Sequence, residues 1–130
     1  MTAATDKPMS LADAIDAIED SYAYMLAYAG QGRAAGNEGG DHEIRDSLER
    51  ADAALAIVAR MAENGGGEDH AAFVNMVRQD AARARTALRF VLTQKSISSQ
   101  IVDNLNASIH LRTLLTDLFL LDEALKISGI

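Results

Sequence analysis

The chain has 130 residues, one proline, no cysteine and a formal net charge of −7. That length suits one domain spanning 1–130 with a core of its own. The lack of cysteine rules out disulfides and thiol chemistry and points to a reducing compartment, the cytoplasm. The acidic balance argues against nucleic acid and anionic membranes as partners, since both are met by Lys and Arg.

Residues 1–9 contain Asp6 and Pro8 and no apolar run, so they read as a flexible N-terminus rather than a signal peptide. The first predicted helix runs from about Ser10 to Ala29. Ser10 is a good N-cap, and Asp13 follows where a carboxylate meets free backbone N–H groups. Leu11, Ile15, Ile18, Tyr22, Met25 and Ala29 recur every three or four residues and mark one face. Gly30 ends the helix. Residues 30–40 carry glycine at 30, 32, 36, 39 and 40, which predicts a flexible loop.

A second helix starts near Asp41, with Ile44, Leu48, Ala51, Leu55, Val58 and Ala62 in the same rhythm, and Asn64-Gly65-Gly66-Gly67 stops it. A third spans about Glu68 to Thr93. Phe73, Val77, Ala84, Leu88 and Val91 form its inner face, with Met76 and Ala81 filling beside them. Ser96 then reads as the cap of a fourth helix reaching Lys126. No β-branched run alternates, so no strand is expected. Four rods joined by loops predict an all-α, antiparallel (up-down-up-down) four-helix bundle whose fourth helix is longest.

The fourth helix carries two apolar stripes. Leu111, Leu114, Leu115, Leu118, Leu121 and Leu125 form a wide face, while Val102, Leu105, Ile109 and Leu120 lie away from it. An amphipathic helix in a lone bundle needs one stripe. Either the helix kinks near Asn104-Leu105-Asn106, or Val102, Leu105, Ile109 and Leu120 form a homodimer seam. The segment Leu114 to Leu125 is broken by Thr116, Asp117, Asp122 and Glu123 and is too short to span a bilayer.

Motifs that would carry chemistry do not fit. A di-iron bundle needs Glu three residues before His, but Gly39, Gly67 and Ala107 precede His42, His70 and His110 at that spacing. No His-x-x-x-His pair occurs, so neither a metal nor a cofactor is expected. His110 is followed by Leu111-Arg112-Thr113-Leu114, without the Lys and Gly that follow phosphorelay histidines. No Gly-x-Ser-x-Gly elbow is present, and Ser98 and Ser99 read as capping residues. Gly30-x-Gly32-x-x-Ala35 follows a helix, where a dinucleotide fingerprint needs a strand.

Two side-chain groups stand out. Arg78, Arg85 and Arg89, with Arg83 nearby, line one side of the third helix, and Asp13, Asp16 and Asp20 line one side of the first. They read as solvated faces exchanging weak ion pairs, or the arginines as an anion site. Tyr22, Tyr24 and Tyr28 read as sealing a core edge, or as lining a ligand pocket with His110. The leading expectation is a non-enzymatic protein acting through helix-face contacts, as a homodimer or with another protein. The competing one is a ligand-binding or enzymatic bundle around Tyr22, Tyr24, Tyr28 and His110, and a third is histidine phosphotransfer.

Overall fold

The computed structural model describes residues 9–32, 38–62 and 66–128. Five helical segments follow in order: α1 (Leu11–Gly30), α2 (Glu38–Ala59), α3 (Gly67–Leu92), α4 (Ser99–Ile109) and α5 (Leu111–Ser128). The last two are one bent rod, which outlasts the 26-residue α3. α1 and α3 each pack on α2 and on the α4–α5 rod. The result is the antiparallel four-helix bundle expected, with no strand among the described residues. Most of the expected flexible N-terminus and the middle of the glycine-rich loop fall on residues 1–8 and 33–37, outside the described residues. Met9 packs against the core, and residues 38–40 belong to α2.

Local chemistry accounts for the helix starts. The Ser10 hydroxyl accepts the Asp13 N–H at 3.0 Å and caps α1. The fourth rod is capped by Ser98, not Ser96: its hydroxyl accepts the Ile101 N–H at 3.2 Å. Ile97 is pulled into the core at 2 % exposure, so the chain stays extended until its side chain is placed. The Tyr28 hydroxyl donates to the Ile97 carbonyl at 2.5 Å, and the Ser99 hydroxyl donates to the Tyr28 carbonyl at 2.6 Å. This exchange ties the end of α1 to the start of α4 and satisfies both hydroxyls where water is excluded.

α2 and α3 exchange arginines. Arg45 on α2 donates to the Leu92 carbonyl at 3.1 Å and to the Gln94 carbonyl at the end of α3. Arg78 on α3 donates to the Ala59 carbonyl at 3.4 Å, the end of α2. Each cation sits where a helix dipole is negative and carbonyls lack partners.

The core runs through all four rods. Ile44, Leu48, Ala51, Leu55 and Val58 of α2 are all fully buried, as their spacing predicts, whereas Ala62, the last of the expected row, lies past the end of α2 and is exposed. On α3, Val74 is buried and Met76 is 41 % exposed, so the inner face is turned slightly from the expected one. On α1 the turn is larger. Ala14, Ala17, Ile18, Ser21, Met25 and Tyr28 are buried, while Leu11 is 39 % exposed and Ile15, Tyr22 and Ala29 are only partly covered. Small residues win the inner position because they let α1 approach α2 closely. The Ser21 hydroxyl donates directly to the Ser47 carbonyl of α2 at 3.0 Å.

The fourth rod bends at His110, not near Asn104-Leu105-Asn106. His110 has φ 52° and ψ 47°, the left-handed region. Its N–H still donates to the Asn106 carbonyl at 3.4 Å, and its carbonyl accepts the Leu114 N–H at 3.1 Å. The bend turns the two stripes toward one core. Val102, Leu105 and Ile109 are 0, 4 and 7 % exposed, beside Leu111, Leu114, Leu115 and Leu118. The seam expected from Val102, Leu105 and Ile109 is therefore corrected: they are interior residues of the single chain. Leu120 alone of the four is at the surface, at 57 % exposure.

Candidate functional site

The turn of α1 has a consequence at the surface. Its larger apolar residues Leu11, Ile15, Tyr22 and Leu26 lie on the flank that borders the α4–α5 rod, and Leu26 is 49 % exposed. On α5, Phe119 is 47 % exposed beside Leu120. Between the two helices lies a shallow groove of about 380 Å³. Leu11, Ala12, Ile15, Leu118, Phe119 and Leu121 give it apolar walls, and Asp16 and Asp122 add carboxylates. Leu11 and Leu121 also border a hollow of about 390 Å³ at the bundle end, with Met61, Val74, His70 and Arg60. Farther along α1, Leu26 and Ala29 face Ser99, Gln100 and Asp103 across another open hollow.

The tyrosines and His110 do not assemble into one pocket. Tyr28 is in the core. Tyr24 donates to the Glu43 Oε1 at 3.2 Å on the exposed α1–α2 edge, its ring 6.3 Å from that of Tyr28. Only Tyr22 meets His110, across a hollow of about 240 Å³ shared with Asp103, Asn106 and Arg112. On its other side His110 borders a hollow of about 250 Å³ with Asp80, Arg83, Ser108 and Thr113. Both are smaller than the ~300 Å³ at which sites that enclose a small ligand begin. Asn106 Oδ1, buried beside the bend, has no hydrogen-bond partner among the described residues. Nearby, burial and then the charge of Asp80 raise the pKa of Asp117.

The arginine row is occupied within the fold. Arg85 holds Asp52 of α2 with two hydrogen bonds, at 2.8 and 3.4 Å, and Arg89 reaches the same carboxylate at 3.5 Å. The hydrogen bond to Asp52 raises the Arg85 pKa, against desolvation. Arg78 is spent on the end of α2. The three do not converge on an anion site, and the partner of the row is Asp52, not the α1 carboxylates. Among the described residues no three His, Asp or Glu side chains gather as a metal would require, and no helix is long and apolar enough to cross a membrane.

Fold and surface together define a small helical bundle with an open, acid-edged apolar groove between its first and last rods. The chain matches no protein-family model, and neither curated proteins nor solved structures match it.

Proposed function

We propose that this is a non-enzymatic interaction protein that binds another polypeptide along the groove between α1 and the α4–α5 rod. One observation carries the reading. Of the six large apolar side chains left exposed among the described residues, Leu11, Leu26 and Phe119 line the hollows between α1 and the α4–α5 rod, whereas Leu120, next to Phe119 in sequence, lines none of them. Adjoining apolar surface of this kind marks a contact site, because water around it is released only when a partner covers it. The two others, Met76 and Phe90, stand on α3. The cysteine-free sequence supports a cytoplasmic setting.

Photo-crosslinking from position 119 in cells, with position 49 on α2 as control, tests the proposal. A discrete adduct from 119 and none from 49 is the expected result. Adducts of twice the chain mass identify a second copy, and any other mass a different protein. No adduct from 119, or the same pattern from both positions, refutes the reading.

A further inference from the structure

We infer that the occupant of this groove is a basic amphipathic helix of another protein, an inference that rests on the contact face proposed above. Its electrostatics select the partner. Asp16 of α1 lines the groove, Asp13, Glu19 and Asp20 are exposed elsewhere on the same helix, and α1 has no Lys or Arg. α4 adds Asp103 and α5 adds Asp122 to the lining, with Glu123 next to Asp122 in sequence. Arg112 is the single Lys or Arg among the residues lining the three hollows between α1 and the α4–α5 rod. A second copy joined through a two-fold axis presents the same surface to itself, so it sets acid edge against acid edge. Like charges at a contact penalise the wrong partner, and opposite charges favour the right one.

The shape selects a helix. α1 has 20 residues, so the face is about 30 Å long at ~1.5 Å per residue, enough for a helix of similar length. Leu11, Ile15, Tyr22 and Leu26 are spaced by four, seven and four residues. That rhythm fits a partner whose own apolar residues recur at three and four and whose flanks carry Lys or Arg, the helix-in-groove mode of recognition.

The probe is a fluorescein-labelled Leu/Lys peptide of about 20 residues with helical amphipathic spacing, read by anisotropy at ~0.15 M salt so that weak surface attraction is screened. The same composition scrambled to destroy the apolar face is the control peptide. The expected result is micromolar binding that weakens about tenfold with Phe119→Ser and with Asp16→Lys plus Glu19→Lys. Glu49→Lys on α2 leaves it unchanged, and the scrambled peptide binds at least about tenfold more weakly. All substituted side chains are at the surface, and circular dichroism confirms that each variant stays helical. No binding, equal binding of the scrambled peptide, or equal weakening by Glu49→Lys overturns the inference. If the peptide fails while crosslinks from position 119 have twice the chain mass, the contact face stands and the basic helix is wrong. If both fail, the face itself is wrong.

Discussion

Truncating Leu105 measures directly whether the fourth rod spends both stripes inside one chain. Leu105 is 4 % exposed, so nearly all of its side chain is out of water. Leu105→Ala removes an isopropyl group, worth about 2.4 kcal/mol at ~0.8 kcal/mol per buried carbon. The cavity left behind brings the loss to roughly 2–5 kcal/mol. Against a total stability of ~5–15 kcal/mol this is a large fraction. For a chain of this size it lowers Tm by roughly 8–20 °C. Leu120→Ala, at 57 % exposure, changes stability by no more than ~0.5 kcal/mol. Thermal and urea unfolding followed by circular dichroism, with light scattering for mass, separate the cases. Equal effects of the two substitutions refute the interior placement of the stripe. So does a Leu105→Ala chain of native Tm that has merely changed from dimer to monomer.

Asp117 keeps its proton to higher pH in the folded chain than in the unfolded one, so folding takes up protons there. Stability therefore falls as pH rises from the ordinary carboxylate range through the raised pKa, and the full cost is present above it. Asp117→Asn melts above the parent at pH 7 and level with it at pH 3; a pH-independent difference in Tm counts against the assignment. At the bend, His110→Val forces a β-branched residue into the left-handed region and loses about 1–3 kcal/mol, whereas His110→Gly stays within ~1 kcal/mol. Identical denaturant midpoints for the two would show that the bend is not held at this residue. A Cβ added at Gly66 comes 2.1 Å from Cγ and 2.3 Å from Cβ of His70, the root of a helical side chain that cannot swing away. Gly66→Ala therefore loses roughly 1–3 kcal/mol, while Gly30→Ala, with open space around it, is neutral or gains up to ~1 kcal/mol, both read from urea midpoints.

The periodicity of α2 carried through to burial from Ile44 to Val58, because that stretch mixes Ile, Leu and Val with alanine in a single row; Ala62, past the helix end, did not follow. α1 did not read as plainly. Its inner face keeps Ile18 and Met25 of the expected row but takes the small residues Ala14, Ala17 and Ser21 beside them in place of Leu11, Ile15 and Tyr22. Hydropathy favours Leu11, Ile15 and Tyr22, whereas close approach to α2 favours Ala14, Ala17 and Ser21. The exposed face follows from that choice, so Leu11 and Leu26 had no signal until the neighbouring helix was in place. Phe119, next to Leu120 in sequence, had only its distance from the leucine face to mark it. The bend at His110 has no proline or glycine to announce it, and even histidine, which is enriched in the left-handed region among non-glycine residues, adopts it too rarely to mark a bend. Asp52, Arg45 and Arg78 act across helices, through contacts to which spacing along one helix is blind.

The exchanged arginines of α2 and α3 act as a register lock. Arg45 and Arg78 hook carbonyls at opposite ends of the hairpin. A slide of one helical turn, ~5.4 Å, in either direction pulls both hooks off together. The α2–α3 half of the bundle is thereby anchored to main-chain carbonyls at both of its ends, whereas the last rod is tied to α1 through Tyr28 and Ser99 at its start and changes direction at His110.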